Sequence, residues 1–292
     1  MTLKKPNFDS ISPSAKYLLL NKALTTIPFA KEAAGVIFSE NSVKYIQERL
    51  TSIGSILRIL HFEMRYRSVD NALSDIDIKN ILEFSSGFSF RGLSMCKDPE
   101  VCYIDTDLPQ IIDNKTAIVQ ELSKRFCSYP IDNLFMRALN ILDENAFSEM
   151  ISLFPDGPIA IVNEGLLMYL DEGQKRKLCK IIHNLLSIRG GYWITADIYR
   201  KKNKEDPIID DFFDDHGKKF LEEHHVEENR FENFEAWEAF FKNCGLDIYK
   251  KIETSRAQIS SIKFLANVPK DKLEEIKRRK RIRETWILKI KD

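Results

Sequence analysis

A short segment near residue 85 combines residue types that could bind a nucleoside. The apolar run Ile81–Phe84 carries Glu83 and leads into the small-residue turn Ser85–Gly87. Two acids, Asp105 and Asp107, follow 22 and 24 residues after Glu83. In nucleoside-binding βαβ units, such a turn lets the backbone approach the ligand, and the later acid hydrogen-bonds the ribose hydroxyls. A dinucleotide in this position would indicate hydride transfer, whereas S-adenosylmethionine would indicate methyl transfer.

The residues of the turn distinguish these two ligands. A dinucleotide fold uses Gly-x-Gly-x-x-Gly so that the backbone can approach a pyrophosphate. Here only Gly87 is a glycine, and Ser85 and Ser89 flank it. Glu83 would repel a pyrophosphate, but it would pair favourably with the ammonium group of S-adenosylmethionine. The motif therefore favours S-adenosylmethionine, and an ordinary strand end with a turn glycine is the alternative interpretation.

Apolar segments and helical patterns alternate along most of the chain. The strands are predicted at Ile78–Phe84, Val101–Asp105, Leu134–Leu142, Ile159–Asn163, Tyr192–Asp197, Leu246–Ile252 and Thr285–Lys291. Helices are predicted between them, notably at Gln110–Arg125, Glu172–Ser187 and Phe231–Cys244. This alternation predicts an α/β fold with a mostly parallel sheet, helices on both faces and a ligand at the carboxyl ends of the strands.

A single domain is expected, because the 292 residues contain no internal repeat and no low-complexity linker. Residues 1–75 form an N-terminal helical cap, in which apolar residues at spacings of three and four follow Ile53. Residues 76–198 form the cofactor-binding core, and residues 199–230 form a charged, lid-like insertion. Residues 231–292 supply a C-terminal helix and the strands that complete the sheet.

The composition argues against several classes of function. Lys plus Arg and Asp plus Glu number 44 each, which leaves no basic surplus for a nucleic acid. No apolar run approaches the roughly 20 residues of a membrane-spanning helix, and the first residues lack the apolar core of a signal peptide. The five cysteines are scattered, which indicates reduced thiols rather than disulfides or a zinc site. We therefore expect a cytoplasmic protein without a nucleic-acid or membrane partner.

Two charged clusters each have a functional and a simpler interpretation. The acidic cluster resembles oxygen-rich metal ligands in composition; it consists of Asp210, Asp211, Asp214, Asp215 and His216. Its spacing matches no dedicated metal-binding loop, so we predict a solvated acidic helix and no metal site. The basic block Lys277–Arg283 follows Glu274-Glu275 and has no interleaved aromatic residues. This favours a solvated helix over a nucleic-acid-binding site.

Four segments taken together resemble the leucine carboxyl methyltransferase family, which includes bacterial O-methyltransferases linked to polyketide biosynthesis. These segments are Glu83–Gly92, Asp105–Pro109 with Lys115, Ile161–Leu170 and Gly190–Asp197. The resemblance implies a Rossmann-like class I methyltransferase fold, with a seven-stranded, mostly parallel sheet that contains one antiparallel strand. It also implies S-adenosyl-L-methionine as the cofactor.

The resemblance implies roles for residues that bind this cofactor. Arg65 corresponds to the family arginine that pairs with the methionine carboxylate, and Gly87 to the turn glycine under the ligand. Asp107 corresponds to the ribose-binding acid, with Asp105 as the alternative. Leu142 and Asp143 correspond to the pair beside the adenine, although Asp143 is explained almost as well as a helix N-cap.

Three further residues complete the predicted site. Glu164 corresponds to the acid near the methionine moiety, and Glu83 either faces the ammonium or supports the site from behind. Tyr169 either lines the methyl-acceptor pocket or packs in the core. The family's second contact to the methionine carboxylate is Lys16 or Lys22.

These residues predict an S-adenosylmethionine-dependent O-methyltransferase that acts on a carboxylate or hydroxyl of a small molecule. A carboxylate acceptor needs no general base, whereas a hydroxyl needs one. The matched segments contain no histidine, and His224 or His225 would serve only if the insertion folds over the site. The alternatives are methylation of a protein C-terminal carboxylate, an NAD(P)-dependent oxidoreductase, and a nucleic-acid-binding protein that uses the basic block.

Overall fold

The computed structural model describes residues 13–38, 48, 52–202, 215–278 and 280–291, without the side chains of 13, 14, 215–217 and 220. Seven strands form one sheet: β1 (Asn80–Phe84), β2 (Cys102–Asp107), β3 (Leu134–Ala138), β4 (Ile159–Asn163), β5 (Gly191–Tyr199), β6 (Leu246–Ile252) and β7 (Arg283–Ile290). Their order across the sheet is β3-β2-β1-β4-β5-β7-β6. The strands β1 to β5 pair in parallel, and β7 lies antiparallel between β5 and β6. The predicted fold, a Rossmann-like class I methyltransferase sheet with one antiparallel strand, is confirmed.

Ten α-helices are described around this sheet: α1 (Pro13–Lys22), α2 (Ala30–Ile37), α3 (Ile53–Ser74), α4 (Arg91–Met95), α5 (Pro109–Phe126), α6 (Glu144–Ile151), α7 (Glu172–Arg189), α8 (Asp215–Glu223), α9 (Phe234–Asn243) and α10 (Lys270–Lys277). Short 3₁₀ segments occur at Leu167–Tyr169, Arg256–Gln258 and Ser260–Asn267. Among the described helices, none is long and apolar enough to cross a bilayer.

The strands alternate their apolar side chains between two cores, as a sheet covered on both faces requires. Leu82, Trp193 and Trp286 face one core, which α7 and α9 cover. Ile81 and Ile194 face the other core, which the C-terminal half of α3 covers. A third apolar cluster joins α1, α2 and α5 to the middle of α3. The helical cap is thereby packed near the carboxyl ends of β1, β2 and β4.

Local sequence signals explain where several helices begin. Ser52 caps α3 by accepting a hydrogen bond from the Ser55 amide. Asp171 and Gln174 form a reciprocal capping box at the start of α7, and Pro109 occupies the first turn of α5, where its missing N–H costs nothing. These signals mark the first residues of α3, α7 and α5 in the sequence.

The structure corrects two sequence-based expectations. The third strand ends at Ala138 rather than Leu142, because residues 140–143 turn to start α6. The basic block Lys277–Arg283 is not a helix: α10 ends at Lys277, Lys280 to Ile282 are irregular, and Arg283 begins β7. Residues 203–214, which include Asp210, Asp211 and Asp214, lie outside the described residues.

Candidate active site

The turn after β1 is tied to the end of β2 by Asp107. Ser85 and Gly87 both have a positive φ, 46° and 49°. The two oxygens of Asp107 accept hydrogen bonds from the amides of Gly87, at 2.8 Å, and Leu108, at 2.7 Å. Burial raises the pKa of this carboxyl group, and the two amide donors oppose that shift. Asp107 therefore fixes the shape of the turn and lies at the carboxyl edge of the sheet, where ligands of open α/β sheets bind.

Asp105 lies deeper, underneath the same turn. Its carboxylate forms a fully buried ion pair with Lys115 at 2.6 Å, and Lys115 also donates to the Ser86 hydroxyl at 2.8 Å. Burial raises the pKa of Asp105 to about 6, although Lys115 opposes the shift. Of the two acids predicted for the ribose, Asp107 is partly exposed and Asp105 is buried beneath the turn; a contact of either acid with a ribose stays a prediction.

Glu164, just after β4, is the centre of a buried charge cluster. Its carboxylate accepts from Lys22 of α1, from Arg65 Nε of α3 and from Arg91 Nη2, each at 3.1 Å. Burial alone would raise the pKa of Glu164, but the three cations hold it well below its usual range. Burial lowers the pKa of Lys22, and the neighbouring arginines add to this effect. The cluster thus joins the cap to the sheet through charged groups that water scarcely reaches.

Glu83 lies behind this cluster. It pairs with the guanidinium of Arg91 and accepts from the Tyr103 hydroxyl at 2.6 Å, and its side chain is 1% exposed. Arg91 also pairs with Asp70 at 2.9 Å and stacks over the Tyr66 ring. Glu83 therefore orients Arg91, and a contact between Glu83 and a ligand stays a prediction.

The segment after β4 is shaped by Asp197 of β5. The oxygens of Asp197 accept from the amides of Gly165 at 2.7 Å and Leu166 at 2.6 Å, and from the Asn163 side chain at 2.7 Å. Gly165 has a φ of 84°, and a Cβ atom there would lie 3.3 Å from Arg65 Nη2. A glycine is favoured at this position, because φ is positive and because a Cβ atom would have to displace Arg65 by a few tenths of an ångström.

One stripe of α3 faces the ends of β5 and β7. His61, Arg65 and Ser68 are spaced by four and three residues, so that they project from the same side of the helix. His61 Nε2 lies 2.7 Å from the hydroxyl of Tyr199, and Ser68 Oγ lies 2.6 Å from that of Thr285. Burial, and then Arg283, Arg65 and Arg230, keep the pKa of His61 well below its usual range. His61 is therefore neutral at pH 7 and is poorly suited to accept a proton.

Tyr169 lies at the outer side of the site. Its ring is 36% exposed and meets the His224 ring edge-on at 5.9 Å between centroids. Burial raises the pKa of its hydroxyl. The Asn229 side chain donates to the Met168 carbonyl at 3.2 Å, and Lys175 donates to the Asn229 carbonyl at 2.7 Å. The described end of the 199–230 insertion is thus attached to the segment that carries Tyr169.

Leu142 and Asp143 follow β3 at the same edge of the sheet. Asp143 Oδ1 accepts from the amides of Asn145 at 3.1 Å and Ala146 at 3.3 Å, which makes Asp143 the N-cap of α6. The capping interpretation agrees with this geometry, and contact with an adenine stays a prediction for both residues.

Sequence reasoning missed several residues of this site. Arg91 follows the turn motif closely, but nothing local indicates that its side chain turns inward to meet Glu164. Asp197 ends a predicted strand, so its position at the carboxyl edge could have been inferred. Tyr199 and Arg283 are far apart in sequence and become strand neighbours only through the antiparallel β7. Within the described residues, no group of three metal-ligating side chains comes together.

No protein-family model matches the chain, and no curated protein matches its sequence. Among solved structures, the mitomycin 7-O-methyltransferase MmcR aligns with 96% of this chain and 69% of its own length, at 10% identity and a TM-score of 0.48. The complex of LepI with SAM aligns with 78% of this chain and 46% of its own, at 8% identity and a TM-score of 0.44. LaPhzM aligns with 79% and 56%, at 11% identity and a TM-score of 0.46.

This chain spans about half the length of the LepI structures that it matches. The fold assignment rests on the strand order described above and not on these alignments, in which about one residue in ten is identical.

Proposed function

We propose that this chain is an S-adenosylmethionine-dependent O-methyltransferase whose acceptor is a small molecule with a carboxylate or hydroxyl group. The observation that carries the proposal is the charge cluster of Lys22, Arg65 and Glu164 at the carboxyl end of β4. Glu164 is shared by Lys22, Arg65 and Arg91. Such a cluster, next to a positive-φ turn and Asp107, suits a nucleoside joined to an amino acid.

The amino-acid end of S-adenosylmethionine carries one carboxylate and one ammonium. Its carboxylate would accept from Arg65, whose planar guanidinium suits a two-point contact, and from Lys22. Its ammonium would pair with Glu164, which is ionised at every physiological pH because its pKa is so low. The ligand would thus replace protein ion pairs with equivalent ones, so that buried charges stay compensated. This supports Lys22 over Lys16 as the second carboxylate contact.

The nucleoside end would lie along the neighbouring strands. Each carboxylate oxygen of Asp107 accepts one hydrogen bond from a backbone amide of the turn. Each oxygen can accept a second hydrogen bond, and these two positions suit the two ribose hydroxyls. Gly87 would let the backbone approach the ligand closely. Leu142 and Asp143 are proposed to flank the adenine. Glu83 would act through Arg91, and a direct contact with the ammonium is the second possibility.

The reaction would be an in-line displacement at the methyl carbon of a sulfonium. The leaving group is neutral, so the protein's contribution is to align the acceptor oxygen and to exclude water. A carboxylate acceptor would attack without a base. For a hydroxyl acceptor, His224 is the better placed of the two predicted histidines, because its ring packs against Tyr169. Tyr169 would line the acceptor side of the site.

Titration calorimetry with S-adenosylhomocysteine tests this proposal. We expect a dissociation constant in the micromolar range or tighter, and a loss of at least about 10-fold in Arg65→Ala and in Asp107→Ala, since each removes a charge-assisted contact. Arg125→Ala and Asp113→Ala alter exposed charges of α5 and serve as controls. The absence of heat with the intact protein would contradict the proposal. A thermal shift with NADH instead would favour the oxidoreductase.

A further inference from the structure

Arg283 stands at the start of β7, directly opposite Tyr199 at the end of β5. Its Nη1 donates to the Ala196 carbonyl at 3.1 Å and to the Thr285 hydroxyl at 2.7 Å. Since Thr285 in turn contacts Ser68 of α3, Arg283 projects to the face of the sheet that α3 covers. This is the face toward which His61 and Arg65 also project.

Three guanidiniums therefore surround the pair formed by His61 and Tyr199. Arg65 and Arg283 approach from α3 and β7, and the Arg230 guanidinium lies over the Tyr199 ring, 5.1 Å from its centroid. All three contribute to the low pKa of His61. The pair thus lies in a pocket of positive charge next to the proposed cofactor site.

Neighbouring acids compensate this charge only in part. Glu164 already serves three cations, and Asp197 is held by the amides after β4 and by Asn163. Arg230 pairs with Glu227 at 2.6 Å through Nη1.

The guanidiniums of Arg230 and Arg283 can still bind an anion. The Nε of Arg230 is buried without a hydrogen-bond partner. In the part of the chain that the structure describes, no carboxylate lies within 4.0 Å of the Arg283 guanidinium. Burial lowers the pKa of Arg283 and Arg65 adds to this effect, whereas Tyr199, Asp197 and Glu164 oppose it.

A partly buried guanidinium without an acid is costly unless an anion meets it. A guanidinium offers up to five donors, and a carboxylate accepts two of them side by side. Because Glu227 pairs with Arg230, Arg283 is the guanidinium of the two that lacks an acid partner within 4.0 Å in the described residues. A carboxylate can meet a planar guanidinium with two parallel hydrogen bonds.

We propose that Arg283 and Arg230 bind a carboxylate of the methyl acceptor, so that the acceptor is a small organic acid. This inference rests on the proposed function for the identity of the bound molecule as an acceptor. The anion site itself stands on the arginines alone. Arg283 of β7 and Arg230 of the insertion would then determine the specificity for the acceptor.

The test uses the intact protein saturated with S-adenosylhomocysteine, and compares acids with their neutral amides at matched ionic strength. The probe pairs are acetate with acetamide, hexanoate with hexanamide, and benzoate with benzamide. We expect at least one acid to raise the melting temperature while its amide does not. Its affinity should fall at least 10-fold in Arg283→Gln and also fall in Arg230→Gln.

Arg281→Gln is the matched control. Arg281 lies two residues before Arg283 on the same approach to β7, its side chain is 56% exposed, and its acid partners lie at 3.6 and 3.9 Å. Carboxylate binding should be unchanged in this variant. Arg283→Lys retains a charge and a donor, so it provides a folded comparison if Arg283→Gln proves unstable. The S-adenosylhomocysteine affinity of each variant reports whether the fold is intact.

Three outcomes would overturn the proposal: no acid binds better than its amide, the acid binds Arg283→Gln as well as the unaltered protein, or phenyl phosphate binds better than every carboxylate. If S-adenosylhomocysteine itself does not bind, the methyltransferase proposal fails, and the same titrations without it still decide whether the arginines bind a carboxylate.

Discussion

At Gly165, the backbone conformation and the position of the buried Arg65 side chain depend on each other. Its positive φ lets the chain turn after β4, and the absence of a side chain lets Arg65 lie against the peptide. Asp197 holds the neighbouring amides from the other side. The position of Arg65 relative to Glu164 therefore depends on a residue that has no functional group of its own.

We predict that Gly165→Ala weakens S-adenosylhomocysteine binding by about 10-fold and destabilises the protein by about 1 kcal/mol or more. The added methyl group must adopt a left-handed conformation and displace Arg65 by a few tenths of an ångström. Calorimetry and urea denaturation measure the two effects. Gly35→Ala is the control, because it lies in α2 with open space around its Cβ position. Equal behaviour of the two variants would contradict the prediction.

At the scale of elements, Lys175 joins α7 to the insertion. Its ammonium donates to the carbonyls of Leu170 and Asn229 and lies between the rings of Phe231 and Trp237, 5.7 and 5.8 Å from their centroids. No acid lies within ion-pair distance of Lys175 among the described residues. Burial consequently lowers its pKa to about 8. The contact holds the 3₁₀ segment with Tyr169 against residues 229–231.

The lowered pKa predicts how stability depends on pH. The unfolded chain keeps the Lys175 proton up to its ordinary pKa of 10.5, whereas the folded protein releases it near pH 8. Between these values the unfolded state binds more protons, so stability rises with pH. Urea denaturation at pH 7.5 and 10 should show the unaltered protein gaining up to about 3 kcal/mol relative to Lys175→Met.

Lys180→Met provides the control for this pH effect, because Lys180 is exposed on the same helix. Relative to that variant, the unaltered protein should gain little between the two pH values. A relative loss of stability toward pH 10 in the Lys175 comparison would show that the charged amine is the favoured form in the folded protein.

For the molecule as a whole, the cap and the sheet share one charge cluster, so ligand binding should stabilise both together. At a free ligand concentration 100 times its dissociation constant, S-adenosylhomocysteine should add about 2.7 kcal/mol to the free energy of unfolding. We predict a single unfolding transition, monitored by circular dichroism and tryptophan fluorescence, that shifts as a unit. Two separate transitions, only one of which shifts, would show that the cap unfolds independently.

The sequence predicted the parts of this molecule that depend on local pattern. Alternating strands and helices gave the α/β class, and the segment around Glu164 and Tyr169 follows the predicted fourth strand. The resemblance supplied the antiparallel strand, which periodicity alone could not place. Its position between β5 and β6 depends on long-range pairing.

The charge cluster was only partly predictable for the same reason. Lys22, Arg65, Arg91 and Glu164 come from four separate elements, and only tertiary packing brings them to one point. The charges of the basic block predict a solvated helix, whereas the buried side chains of Thr285 and Trp286 hold the residues that follow it in the sheet. Arg283 is therefore a strand residue opposite Tyr199 rather than a solvated helix charge.

The position of β7 between β5 and β6 also determines when the sheet can close during synthesis. Strands β5 and β6 are made first, but they do not pair with each other, because β7 separates them. A ribosome must therefore release the chain as far as Ile290 before this half of the sheet can close, while β1 to β5 can already pair in parallel. Until then β5 presents an open edge to other chains, and the nascent chain already contains the turn after β1 but not yet Arg283. The proposed binding site for the acceptor would therefore form only after the other parts of the sheet have been synthesised.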